Sequence, residues 1–199
     1  PVVVTGVTPT ITEIDKEYAV IHMSYVVESM NDKKSHYYQV DEYYNVTYNR
    51  SSETVKLLAF DRYQESFFDS GYISKDRNSI SMGVTNEPAE YVTSEDYGIL
   101  AFVRLGQLWM YKYNDSSLTN IFSYPQDSYS DARTLNTNLD INIADMDEDG
   151  NIYFVVYGYM NRGVHEGKNG MSLYYYSAES MTTQELFFVE CDENYDIMK

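Results

Sequence analysis

Residues 139–190, LDINIADMDEDGNIYFVVYGYMNRGVHEGKNGMSLYYYSAESMTTQELFFVE, leave few folds open. Leu139, Ile141 and Ile143 alternate with Asp140, Asn142 and Ala144. Neighbouring side chains of a strand point to opposite faces, so this is predicted as a half-buried strand. Residues 152–159 are apolar on both faces, as in an inner strand covered on both sides. Residues 171–176 and 185–189 add two more segments rich in aromatic and β-branched residues, which favour strand over helix. The first connection, Asp145-Met146-Asp147-Glu148-Asp149-Gly150, ends in a glycine that adopts positive φ at little cost, and reads as a hairpin turn. The second, 161–170, is a longer Gly-rich loop, and the third, 178–183, is short and polar. Four consecutive strands joined this way form an antiparallel meander.

A second set of strand-like segments lies at 90–93, 98–103, 107–113 and 118–124, with turns at Glu95-Asp96, Leu105-Gly106 and Asn114-Asp115. Its aromatic third segment, LWMYKY, matches LYYYS at an offset of about 60 residues. Each set resembles one blade of a β-propeller, whose repeats run roughly 40–50 residues. Neither carries a WD or kelch signature, so the resemblance is to the architecture alone. It implies an all-β fold of antiparallel four-stranded meanders, propeller-like or part of a propeller. A two-sheet sandwich gives the same signals. A chain of 199 residues has room for about four blades.

Residues before 90 divide less cleanly into blades. Residues 1–15 read as one edge strand or an extended lead-in, 18–28 as a long apolar strand, and 36–48 as one long strand or two short ones. In 54–68, Leu57, Phe60, Tyr63 and Phe67 sit at near-helical spacing, so a strand through Phe60 is expected to give way to a loop or short helix. Residues 72–73 and 80–82 flank a polar turn, and 125–138 form a long polar loop. The chain is taken as a single all-β domain, 1–199, excised from something longer.

The formal net charge is −17, from 31 acidic and 14 basic residues. Such a surface repels nucleic acid and anionic membrane faces, and admits a cation or a basic partner. No apolar run approaches the length that spans a bilayer, so no direct membrane insertion is expected within this segment. The single cysteine, Cys191, cannot form an internal disulfide, and its acidic setting (VECDE) disfavours a thiolate nucleophile.

Three features bear on chemistry. Asp145, Asp147, Asp149, Gly150 and Asn151 match the first positions of an EF-hand-type loop, in which alternate carboxylates converge on a hard cation. The match departs at the twelfth position, Val156, where a bidentate Glu is expected. Calcium is therefore the one cofactor suggested, with Asp145, Asp147, Asp149 and Asn151 as ligands; a solvated acidic turn is the other reading. The loop at 161–170 gathers Arg162, His165 and Glu166 among glycines, a candidate binding set. Trp109 and Tyr111 lead an aromatic cluster that, if exposed, would stack on a sugar or peptide. No P-loop, GxGxxG, GxSxG or HExxH pattern is present.

These features predict a non-enzymatic extracytoplasmic domain that binds or senses a protein or glycan ligand, at the cell surface or anchored to a membrane through a segment outside the sequence. The alternative is a carbohydrate-active hydrolase using acidic and aromatic residues. An enzyme requires carboxylates, or His165 and a carboxylate, to converge in a pocket, whereas a binding domain requires an exposed apolar patch.

Overall fold

The computed structural model describes residues 1–31, 33–123, 139–161 and 163–191. It is all-β, with three antiparallel sheets. The chain divides into two compact units: Pro1–Phe67 with Met82–Glu87, and Phe68–Ser81 with Pro88–Lys199.

The first unit is a five-stranded sheet of β1 (Val2–Val3), β2 (Thr8–Ile14), β3 (Tyr18–Asn31), β4 (Lys34–Asn49) and β5 (Thr54–Ser66). Strands β3, β4 and β5 are consecutive neighbours. Residues 1–15 are not one strand: β1 pairs with β3 at Val2↔Glu28, and β2 pairs along the rest of the same edge, from Thr8↔Ser24 to Ile14↔Ala19. The expected loop or helix after Phe60 is also corrected, because β5 runs unbroken to Ser66. A bulge at Leu58 is the reason. Val46 faces Leu57 and Tyr44 faces Phe60, so two residues three apart share one face and mimic helical spacing.

The second unit holds two meanders. One is β6 (Tyr91–Thr93), β7 (Ile99–Arg104), β8 (Gln107–Lys112) and β9 (Ser117–Ser123); the other is β10 (Leu139–Met146), β11 (Ile152–Tyr159), β12 (Asn169–Ser177) and β13 (Thr182–Glu190). Alternate residues from both form one core: Ile99, Ala101, Leu108, Met110 and Ile121 meet Ile141, Ile143, Ile152, Phe154, Val156 and Tyr176. The meanders stack with equivalent positions opposed. Ile143 N–H donates to Glu90 Oε1 at 2.6 Å, and Glu95 N–H to Glu148 Oε1 at 3.0 Å, both across 53 residues of sequence. Beyond β11 the offset grows, because the 160–168 loop replaces the short turn at 105–106.

The tip of the β10–β11 turn lies against the other sheet. Gly150 has φ 87°, and a Cβ there would approach Met110 Sδ to 3.1 Å and Ile99 Cδ1 to 3.2 Å. Glycine thus satisfies both the backbone and the close approach. The other face of the first meander is covered by residues 68–81, with Phe68 against Phe102 at 4.8 Å and Trp109 at 5.6 Å between ring centroids. The expectation that β11 is covered on both faces is corrected. Ile152, Phe154 and Val156 are buried, but Tyr153 on the opposite face is 42% exposed. A tyrosine ring packs on its neighbour, here Tyr175, while its hydroxyl stays wet.

Candidate functional site

The acidic turn is held by its own hydrogen bonds. Asp147 Oδ1 accepts from the Asp149 and Asn151 N–H groups at 3.0 and 2.8 Å, and Oδ2 accepts from Asn151 Nδ2 at 2.8 Å. The Asn151 side chain, helped by the backbone donors, holds the Asp147 carboxyl below its ordinary range against the opposing effect of burial. Asn151 Oδ1 accepts from Ala178 N–H at 2.9 Å, Asp149 O accepts from Lys112 Nζ at 3.0 Å, and the neighbouring Glu148 carboxylate is engaged by Glu95. Among the described residues no three His, Cys, Asp or Glu side chains form a group suited to a metal ion. The same type of turn recurs in the first meander, where Asp96 accepts from Ser94 Oγ and Gly98 N–H.

His165 is drawn to a residue that its sequence neighbourhood does not suggest. Its Nε2 lies 3.2 Å from Glu185 Oε1, and its ring stacks on Phe188 at 3.9 Å between centroids. Glu185 Oε1 also accepts from Ser172 Oγ at 2.6 Å. Ser, Glu and His thus meet, but the carboxylate sits between the other two. The serine proton is directed to Glu185 rather than to an imidazole base, and Ser172 is buried. This arrangement clips the 160–168 loop onto β12 and β13; it does not activate a nucleophile. The Glu166 N–H closes a turn onto Gly163 O at 3.3 Å. Arg162 and the 125–138 loop lie outside the described residues.

Trp109 and Tyr111 are on β8, away from that loop. Trp109 packs on Phe68 and donates to Gln107 Oε1 at 3.3 Å; Tyr111 is buried and its hydroxyl donates to Arg77 O at 3.2 Å. Both help hold residues 68–81 on the first meander. His22 lies 2.8 Å from Asp41 and stacks on Tyr43.

One open apolar face among the described residues is a feature the sequence pattern does not single out. On one face of the first unit the pairing aligns Ile14, Ala19, Val46 and Leu57 in one row, and Ile11, Ile21, Tyr44 and Phe60 in the next. Tyr48 and Val55 extend it. Ile14 is 73% exposed, Val55 65%, Leu57 56% and Phe60 46%. Four strands about 4.8 Å apart and three rows about 7 Å apart make roughly 300 Å² of flat apolar face, a size at which a surface patch is often functional. The opposite face is polar: His22, Tyr43 and Asp61 make one row, and Ser24, Asp41 and Tyr63 the next. The signal was present as alternation in 18–28 and 36–48, but the bulge in β5 concealed the face they share with it.

Compared with known proteins, the chain matches no family model and no curated protein.

Proposed function

We propose that this chain is a non-enzymatic interaction domain, and that the apolar face of β2–β5 is where it binds a protein partner. The observation that carries this reading is the exposure of Ile14, Val55, Leu57 and Phe60 on one continuous sheet face. The face, rather than the free edge of β5, is the docking element. That edge carries Lys56, Asp61, Arg62 and Glu65 and the Leu58 bulge, devices that discourage strand addition. The net charge of −17 favours a partner whose contact surface is apolar at the centre and basic at the rim. The two stacked meanders, with Tyr153, Phe187 and Val189 exposed on the outer sheet, fit part of a propeller-like stack that continues in a further meander. The Ser172–Glu185–His165 geometry gives no support to a hydrolase.

The test is photo-crosslinking in the cells that make the protein, with benzoylphenylalanine placed at Leu57 or at Asp61. Residue 57 is on the apolar face and residue 61 on the polar one. A discrete adduct from position 57 that is absent from position 61 is the expected result. No adduct from 57, or the same products from both positions, contradicts the reading.

A further inference from the structure

One cleft in this acidic chain is lined by cations and hydroxyls with no carboxylate among them. It measures about 270 Å³ and is lined by Ser70, Ile73, Ser74, Lys75, Arg77, Tyr111 and Ser116. A tight hairpin shapes one wall. Ile73 bridges Ile80, Ser74 N–H donates to Ser79 O, and Arg77 N–H donates to Ser74 O, both at 2.9 Å. Two tyrosine hydroxyls fasten that hairpin to the first meander, Tyr111 to Arg77 O and Tyr113 to Asn78 Oδ1 at 2.9 Å.

The carboxylates next to the lining residues in sequence lie outside the lining itself and are held by local hydrogen bonds. Asp69 accepts from Gly71 N–H, Asp76 from Ser74 Oγ and Asn78 N–H, and Asp115 from the Ser117 N–H and hydroxyl. Among the described residues neither the Lys75 ammonium nor the Arg77 guanidinium has a carboxylate within 4.0 Å.

We infer that this cleft binds the oxyanion of a small acidic ligand, a phosphate or sulfate group, between Lys75, Arg77 and the hydroxyls of Ser70 and Ser116, the latter giving up its long 3.5 Å bond to Tyr113 O. Arginine offers paired donors to such a group and lysine a point charge. The volume suits one small group rather than a larger cofactor, since pockets for whole ligands begin at about 300 Å³. The overall negative charge does not prevent this at physiological salt. The Debye length is then about 8 Å, so remote carboxylates are screened while contact charges are not.

The test is an amide NMR titration of the full chain with inorganic phosphate and, in a second arm, inorganic sulfate. Ionic strength is held at about 0.15 M with sodium chloride. The expected result is a saturable shift confined to residues around 70–79 and 113–117, with a midpoint on the order of 1 mM. Binding in both arms assigns a general tetrahedral-anion site, and binding in the first alone a phosphate site. In Lys75→Gln/Arg77→Asn the midpoint rises at least about tenfold; asparagine is chosen because it tolerates the left-handed backbone at 77. Shifts that do not saturate, that chloride reproduces, or that persist unchanged in the double variant overturn the inference.

Discussion

Phe154→Ala lowers the unfolding free energy of the second unit by about 3–5 kcal/mol. The ring is fully buried. It stacks on Tyr174 across β12, with centroids 5.2 Å apart, and meets Phe122 of the other meander at 5.3 Å. Truncation removes the transfer energy of a whole aromatic side chain and leaves a cavity between two sheets whose hydrogen-bonded backbones cannot collapse to fill it. Trp109, the only tryptophan, lies in the same unit and reports its unfolding by fluorescence. Urea denaturation of Phe154→Ala beside Phe187→Ala, whose ring is half exposed, separates core from surface. The second variant is expected to lose less than about 1 kcal/mol. A loss as small as this in Phe154→Ala would mean that the meanders do not pack face to face.

Gly170→Val is the second large effect, about 2–4 kcal/mol of destabilisation. A Cβ at 170 would lie 2.5 Å from Phe188 Cε2 and 2.5 Å from Val189 O. The carbonyl belongs to the neighbouring strand and cannot rotate away, so β12 and β13 must separate locally. The consequence reaches the loop, because the Phe188 ring carries the stacked His165 ring. Displacing Phe188 removes the stack and pulls His165 from Glu185. Hydrogen exchange of the 160–168 amides is therefore expected to rise well beyond the rise in strands β7 and β8. Unchanged protection of the loop would show that the His165 clip does not hold it.

The second unit was legible in the sequence because its strands are apolar or alternating runs and most of its turns are short and rich in Gly, Asn or Asp. The boundaries of β11 came directly from its apolar run, and the turns at 95–96, 105–106 and 114–115 from their Gly, Asn and Asp content. The first unit was less so. Nothing local distinguishes two strands sharing one edge of β3 from a single lead-in, because most of the pairing partners lie well along the chain, up to 26 residues away at Val2↔Glu28 and down to 5 only at Ile14↔Ala19. The bulge at Leu58 gave β5 a false helical period. The contacts around the candidate site residues were the least legible. Asp147 has the spacing of a cation ligand, but its oxygens face its own backbone; His165 stood out as a lone imidazole, while Glu185 and Ser172, which define its role, lie on other strands. Long-range pairing determines these contacts, and local sequence does not encode it.

The central claim is that the apolar face of β2–β5 serves a partner and not the fold. The direct test is urea denaturation of Leu57→Lys/Phe60→Lys, followed by circular dichroism in the strand region. The account predicts a change within about 1 kcal/mol of the parent, because both side chains already stand in water. A loss of several kcal/mol would contradict it, because burying two unpaired ammonium groups carries a cost of that order, and the face would then belong to the core.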